Sequence, residues 1–227
     1  CIVNDIIDKN FDKKVERTKN RPIASGKVSV KLALIYSIVL CVLAFLVLIN
    51  FNKFTIYMAL LSMPLAFTYP LMKRITYWPQ LFLGITFNYG LVLAWISISN
   101  EFSLVALVFY FGAIFWTLGY DTIYGFQDIK DDEIIGVKST SIKFKGTAKF
   151  FLILCYIFLT ASLLIGGLMM SFNLIYFLSI MIPIIHLFFY QIKTFDTKNP
   201  SSCLKVFKSN NYLGIIIFCN ILIGKLI

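Results

Sequence analysis

The sequence predicts an all-α, multi-span transmembrane helical bundle. Its 227 residues have a mean hydropathy of +0.83, with 59% hydrophobic and 17% aromatic residues, which is more apolar than water-soluble globular domains are. A helix needs about 20 apolar residues to cross the hydrocarbon core of a bilayer, so long apolar runs indicate the spans. Seven runs meet this need: 32–49, 54–72, 79–98, 102–120, 150–170, 172–190 and 211–227.

The basic residues alternate between the two sides of these runs. All of the 21 Lys and Arg residues except Lys53 and Lys225 fall in segment 1–31 or in the connections after the second, fourth and sixth runs. Because Lys and Arg concentrate in cytoplasmic loops, we expect this side to face the cytoplasm. A basic surface can also serve only topology or lipid binding. No nucleic-acid partner is expected.

Helix-breaking and polar residues mark the irregular parts of the chain. Residues 1–14 are expected to be the end of a helix, followed by a polar loop in which Pro22 interrupts helical structure. Pro64 and Pro183 lie inside apolar runs, where we expect them to kink the spans. His186, the single histidine, lies on an apolar span and is expected to be a hydrogen-bonded packing residue.

Two clusters of acidic residues are the least expected feature of so apolar a chain. Eight of the 11 Asp and Glu residues lie in the stretches NDIIDKNFD and DTIYGFQDIKDDE. Asp5, Asp8 and Asp12 have helical spacing, as do Asp128 and Asp132, so each set shares one helix face. Two carboxylate faces that meet would suit Mg²⁺, a hard cation that prefers oxygen ligands. The alternative is solvated charge near helix ends.

A metal in such a site keeps open positions for an anionic ligand, and a diphosphate fits them. Basic residues that could hold the same anion are Arg17, Arg21, Lys73, Arg74 and Lys138. Because the site would lie at the mouth of an apolar bundle, we expect a substrate with a charged head and a long apolar tail, such as a prenyl diphosphate. Aromatic residues available to stabilise the allylic cation left by its ionisation are Trp116, Tyr120, Tyr124 and Phe126.

The motifs resemble those of the UbiA superfamily of intramembrane prenyltransferases, and within it the 4-hydroxybenzoate polyprenyltransferases of ubiquinone biosynthesis. The first superfamily motif, NDxxDxxxD, is matched from Asn4, and the second, DxxxD, from Asp128. Further similar strings are RTKNRPIASG, YPLMKRITYWPQLFLGITFNYG, DTIYGFQDIKDDEIIGVKSTS and FKSNNYLG. Together they extend over nearly the whole chain.

The resemblance implies a bundle of about nine helices and a role for each motif residue. Residues 1–227 are then expected to be a single, N-terminally truncated integral-membrane domain with seven of those helices. The implied catalytic and Mg²⁺-binding carboxylates are Asp8, Asp12, Asp128 and Asp132. The implied substrate-binding residues are Asn4, Asp5, Arg17, Arg21, Lys73, Arg74, Tyr120, Asp121, Tyr124 and Lys138.

The implied reaction is Mg²⁺-dependent transfer of a polyprenyl group from polyprenyl diphosphate to the ring of 4-hydroxybenzoate. The implied place is a bacterial or mitochondrial inner membrane, with the site facing the cytoplasm or matrix. One alternative is a related prenyltransferase for another acceptor, such as haem, a naphthoquinone or chlorophyll. Another is a cation transporter, which would place acids deep inside the spans.

Overall fold

The computed structural model describes residues 2–226, which form helices and no strands. The α-helices are α1 (Ile2–Ile7), α2 (Lys9–Asp12), α3 (Val30–Leu48), α4 (Lys53–Thr68), α5 (Met72–Ile75), α6 (Pro79–Ser99), α7 (Leu104–Gly125), α8 (Ile129–Ile135), α9 (Thr140–Lys143), α10 (Ala148–Met169), α11 (Leu174–Ser179), α12 (Met181–Ile185), α13 (Ile192–Thr194) and α14 (Pro200–Leu226). A 3₁₀ turn at Tyr69–Leu71 and a π-helix at His186–Gln191 complete the regular structure.

Seven helical segments are long and apolar enough to cross a membrane. They are Val30–Leu48, Lys53–Ile75, Pro79–Ser99, Leu104–Gly125, Ala148–Met169, Leu174–Thr194 and Pro200–Lys225. The predicted fold class, an all-α multi-span bundle, is therefore confirmed. The chain is an integral membrane protein.

Two spans differ most from the predicted runs at their ends. The last helix begins at Pro200 rather than at 211, because Cys203 and Val206 are fully buried while the lysines between and beyond them point away from the core. Helix α7 continues to Gly125, so its last turns carry Asp121 and Tyr124.

Proline accounts for one break in the helices, and a second break follows another proline. Pro70 lacks a backbone N–H, and the span that begins with α4 tightens there into the 3₁₀ turn before α5. After Pro183 the helix widens into the π-helix, which ends at Gln191. Pro64 is accommodated inside α4.

Helix α7 is at the centre of the bundle, where it packs against α6, α10 and α14. Small residues let two of these backbones approach closely, as is common in membrane helix pairs. A methyl group at Gly112 would lie 2.6 Å from Ser162 Cβ, and one at Gly119 would lie 3.3 Å from the Tyr156 ring. The α7–α10 contact therefore depends on glycine at both positions.

A chain of polar side chains crosses the apolar interior of the bundle. The Tyr156 hydroxyl donates to Gln191 Oε1 (2.5 Å), and Gln191 Nε2 donates to Asn210 Oδ1 (3.1 Å). The same Asn210 oxygen accepts a hydrogen bond from Trp116 Nε1 (2.8 Å). Because an apolar interior offers no water, these mutual bonds are what allow the groups to lie there.

The connections on the two sides of the bundle differ in length. Those on one side are 49–52, 100–103 and 170–173. The other side carries α1, α2 and the long connection 126–147, which contains α8 and α9. This second side holds the basic residues other than Lys53 and Lys225, and we call it the inner side.

Candidate active site

A cavity of ≈220 Å³ lies at the inner side, between α2, the loop that follows it, α5, the end of α7 and α8. It brings together most of the site residues indicated by the sequence. Those that line it are Asn4, Asp8, Asp12, Arg17, Arg21, Lys73, Asp121, Tyr124, Asp128, Asp132 and Lys138. The two acidic motifs, which are more than a hundred residues apart in sequence, thus share one cavity.

Three of the indicated residues lie beside the cavity instead of lining it. Asp5 is bound by Arg21, whose Nη1 is 3.1 Å from Asp5 Oδ1. Arg74 donates from Nη2 to the Ile7 carbonyl at 2.8 Å. Tyr120 lines a separate, deeper cavity.

The carboxylates of the first motif are enclosed and paired with cations. Asp8 is 1% exposed. Its Oδ2 forms an ion pair with the Lys73 ammonium, whereas its Oδ1 has no hydrogen-bond partner. Arg21 Nη1 lies 3.1 Å from Asp12 Oδ2 as well as contacting Asp5. Phe11, between the two aspartates, contacts the Lys73 ammonium and the Arg74 guanidinium with its ring face.

The second motif is held by Arg17. Its Nε donates to Asp128 Oδ2 at 2.7 Å, and its Nη1 donates to the Tyr124 hydroxyl at 2.6 Å. Asp132 lies one turn further along α8 and forms no ion pair among residues 2–226. Asp121, at the end of α7, likewise forms no ion pair within the described residues, so Asp121 and Asp132 are the lining carboxylates that have no cationic partner there.

Local turn chemistry fixes α8 and the segment that follows it. Helix α8 ends at Gly136, whose φ of 79° is a left-handed conformation that glycine adopts without strain. The chain then turns so that the Lys138 backbone N–H donates to the Lys73 carbonyl at 2.8 Å. This bond places Lys138 and Lys73 at the same edge of the cavity.

Burial and neighbouring charges shift the ionisation of three groups. Burial raises the pKa of Asp8, against the opposing effect of Lys73. Burial, reinforced by the Asp128 carboxylate, raises the pKa of Asp132 to about 6. Burial lowers the pKa of Arg17, but the hydrogen bond to Asp128 and the negative charge of the neighbouring carboxylates together outweigh it, and the net direction is upward.

The donor set fits a hard divalent cation. Five carboxylates but only four cationic side chains line the cavity, so the side chains alone do not supply the positive charge that a bound diphosphate needs. A divalent cation would supply it. In residues 2–226, no three metal-ligating groups converge; Asp8, Asp12 and Asp128 are instead paired with Lys73, Arg21 and Arg17. The free oxygen of Asp8 and the unpaired carboxylates of Asp121 and Asp132 are the groups ready to accept a cation.

A second cavity, of ≈290 Å³ and partly lined by aromatic rings, lies further along α7, toward the middle of that span. Trp116, Tyr120 and Phe207 line it, and the Tyr124 ring lies 4.5 Å from that of Phe207. We call it the deep chamber. Phe126, one of the four aromatic residues that the sequence suggested for a cation, instead packs against Phe195 in the core.

Two residues of the site were missed from the sequence. Phe11 contacts both Lys73 and Arg74, and its position three residues after Asp8 on a helical face was the available signal. Gln80 lines the cavity and accepts a hydrogen bond from the Thr140 backbone N–H at 2.9 Å. A polar residue in the first turn of an apolar span could have indicated it.

The position of the acidic residues along the spans distinguishes an enzyme whose site opens at the inner side from a cation transporter. In the seven spans as the structure describes them, Asp121 is the one acidic residue, and it lies in the last turns of α7 at the inner side. A transporter would place such groups near the middle of the bilayer.

Comparison with known proteins agrees with this geometry. The family model described as the UbiA prenyltransferase family matches residues 1–218. The chain is 42% identical over 227 residues to 4-hydroxybenzoate geranyltransferase 1 of Lithospermum erythrorhizon, and this match covers all of this chain and 74% of that protein. It is 40% identical to the mitochondrial 4-hydroxybenzoate polyprenyltransferase of Homo sapiens and spans 61% of its length.

The fold is also similar to solved structures. The apo structure of a UbiA homolog from Aeropyrum pernix K1 superposes with a TM-score of 0.82 at 23% identity, covering 99% of this chain and 84% of that one. A second structure, described as digeranylgeranylglyceryl phosphate synthase, gives a TM-score of 0.71 at 18% identity. Because the family model matches almost the entire chain, the chain belongs to the UbiA prenyltransferase family, a family of membrane-embedded transferases.

Proposed function

We propose that the chain transfers a polyprenyl group from polyprenyl diphosphate to the aromatic ring of 4-hydroxybenzoate, with Mg²⁺ as its metal. The observation that carries this proposal is that both acidic motifs and four cations surround one cavity, and that the deep chamber with its aromatic rings lies further along α7. A charged head and a long tail fit these two spaces. The names of the relatives that are 40% and 42% identical supply the acceptor.

The carboxylates of the two motifs are assigned to the metal. Asp8, Asp12, Asp128 and Asp132 line the cavity and present the oxygen ligands that Mg²⁺ takes. Bound there, Mg²⁺ supplies positive charge that stabilises the departing diphosphate.

The basic residues are assigned to the diphosphate oxygens. Arg17, Arg21, Lys73 and Lys138 line the cavity, and Arg74 lies behind it against Asp8. Charge that develops on the leaving group is best stabilised by donors already in place. Ion pairs anchor the arginines and Lys73, and Lys138 Nζ is anchored by its hydrogen bond to the Ile75 carbonyl. Asn4 lines the same cavity, and Asp5 holds Arg21 in position.

The aromatic residues are assigned to the allylic carbon. When its bond to the diphosphate oxygen breaks, the positive charge that remains lies near the faces of Tyr124 and Tyr120. A ring carbon ortho to the acceptor hydroxyl then forms the new carbon–carbon bond. The ring proton leaves to an oxygen of the site, on a motif carboxylate or on the released diphosphate. The surrounding apolar spans keep out water, which would convert the cation to a prenol.

The biological setting follows from the same assignment. A polyprenylated hydroxybenzoate is the precursor expected for ubiquinone, and several of the relatives are mitochondrial proteins. We propose a mitochondrial or bacterial inner membrane, with the basic inner side and its cavity toward the matrix or cytoplasm.

The proposal is tested by prenyl transfer in membranes that contain the chain. Labelled 4-hydroxybenzoate, Mg²⁺ and either geranyl diphosphate or a longer polyprenyl diphosphate should yield lipid-extractable label, and EDTA should abolish it. Asp8→Asn and Asp128→Asn should each lower the rate by roughly 10²-fold or more. The matched control is Glu133→Gln, because Glu133 pairs with Lys145 and does not line the cavity.

Two outcomes would contradict the proposal. One is product that forms equally well in EDTA, which would exclude the metal. The other is an equal loss in Glu133→Gln and Asp128→Asn, which would mean that acidic charge in this region matters only for folding.

A further inference from the structure

A third cavity opens on the side of the bundle, in the groove between the Leu174–Thr194 span and α14. Its volume is ≈660 Å³, and we call it the lateral cavity. The lining residues that define it here are His186, Tyr190, Lys205, Lys208, Ser209 and Tyr212. None of them lines the candidate active site or the deep chamber.

The lateral cavity carries positive charge that nothing in the described chain neutralises. Lys205 and Lys208 are three residues apart on α14 and therefore lie on one helix face. No Asp or Glu lines the cavity, and neither lysine forms an ion pair within residues 2–226. Asp196, the nearest acid along the chain, accepts a hydrogen bond from the Lys198 backbone instead. The missing partner is an anion.

The two lysines precede the apolar part of α14. They lie in its first three turns, before the apolar run that begins near residue 211. Because the hydrocarbon core begins where the apolar run begins, we place both lysines at the inner membrane interface. Tyr212, one turn deeper than Lys208, continues the groove toward the acyl chains.

The π-helix builds the opposite wall. The rings of His186 and Tyr190 pack at an angle of 34° with centroids 5.0 Å apart, and His186 Nε2 lies 3.1 Å from Ser209 Oγ. This confirms the expected hydrogen bond of His186 and adds that its ring lines a cavity. π-Helices are rare, and they occur frequently at functional sites.

We propose that the lateral cavity binds an anionic phospholipid, with its phosphate held by Lys205 and Lys208 and its glycerol end against the π-helix. Basic pockets between spans on the cytoplasmic side are typical sites for anionic headgroups. Free phosphate would satisfy the lysines, but the aromatic wall and the opening to the bilayer favour a lipid. This site is independent of the proposed prenyl transfer.

Lipid binding is measured by native mass spectrometry on the chain purified in a neutral detergent, with phosphatidylglycerol and phosphatidylcholine of identical acyl chains. We expect phosphatidylglycerol to bind roughly 30-fold more tightly, at about fivefold for each lysine. The double variant Lys205→Gln/Lys208→Gln should reduce this preference to roughly twofold. Lys205→Arg/Lys208→Arg should retain it, because the charge is kept.

The matched control removes two other lysines from the same side. Lys193→Gln/Lys198→Gln, outside the cavity, should keep the preference for phosphatidylglycerol. Equal binding of the two lipids to the unmodified chain, or the same loss in both glutamine variants, would overturn the proposal. Displacement of the lipid by inorganic phosphate at equal concentration would also overturn it, because the site would then recognise the free anion.

Discussion

Asp8 is almost completely enclosed, yet one of its carboxylate oxygens has no donor. The Lys73 ammonium pairs with Oδ2, whereas the Arg74 guanidinium is 3.7 Å from Oδ1, too far for a hydrogen bond. Leaving a buried carboxylate oxygen unbonded costs free energy. The same geometry leaves Oδ1 as a ready ligand for a cation, which is the role proposed for this residue.

Asp132 should make the metal requirement depend on pH. Its pKa of about 6 means that the carboxyl is mostly ionised at about pH 7 and mostly protonated at about pH 5. Because only the ionised form binds a cation, the Mg²⁺ concentration that gives half-maximal prenyl transfer should rise roughly tenfold over this interval. Titration of Mg²⁺ at the two pH values measures it.

Asp132→Asn should show a high Mg²⁺ requirement at both pH values, and Glu133→Gln should behave like the unmodified chain. A tenfold rise that persists in Asp132→Asn would assign the pH effect to another group.

The sequence was sufficient to identify the acidic residues of the site, but not their partners. Helical spacing placed Asp8 with Asp12 and Asp128 with Asp132, and local periodicity needs no tertiary information. The pairing of Arg17 with Asp128 joins residues 111 positions apart, so it depends on how the helices pack. No local pattern shows that Arg17 chooses Asp128.

Hydropathy predicted the helices correctly where their residues are apolar. It missed helical turns whose exposed residues are charged. The apolar run of α14 begins near 211, but the helix starts at Pro200. Its first turns carry lysines on an exposed face and buried residues on the opposite face, so their mean hydropathy is low although they are helical. The π-helix at His186–Gln191 was not predicted, because the sequence there reads as an ordinary apolar span.

The α7–α10 contact should not tolerate a side chain at Gly112. Gly112→Ala would place a methyl group 2.6 Å from Ser162 Cβ, and the overpacking should cost about 1–3 kcal/mol. Gly90 is the matched control, because a methyl group there has no neighbour within 4 Å and Gly90→Ala should be neutral or stabilising. Thermal unfolding in detergent compares the two variants. Equal midpoints would show that the helices are further apart than the structure has them.

The polar network connects regions that would otherwise be separate. Gln191 Nε2 donates to Asn210, and Asn210 in turn accepts a hydrogen bond from Trp116 in the deep chamber. Gln191 Nε2 also lies 3.4 Å from Ser209 Oγ, and Ser209 lines the lateral cavity. Asn210 and Ser209 are adjacent on α14, so a small movement of this helix reaches both cavities. The orientation of Trp116 therefore depends on the position of the last two spans.

A double-mutant cycle measures the link between α7 and α14. Asn210→Leu leaves the Trp116 indole N–H without an acceptor and should lower the free energy of unfolding by about 1–3 kcal/mol. Once Trp116→Phe has removed that donor, Asn210→Leu should cost less, with a coupling of at least about 0.5 kcal/mol. Purely additive losses among the four proteins would show that the hydrogen bond contributes nothing.

The unequal connections have a consequence for traffic through the molecule. On the side opposite the cavity, the loops 49–52, 100–103 and 170–173 give a soluble protein very little surface to grip. In the proposed reaction, the water-soluble acceptor would enter and pyrophosphate would leave through the inner side, where the longer connections of the described chain lie. A protein bound across that side would block both, so we expect the prenylated product to leave laterally into the lipid.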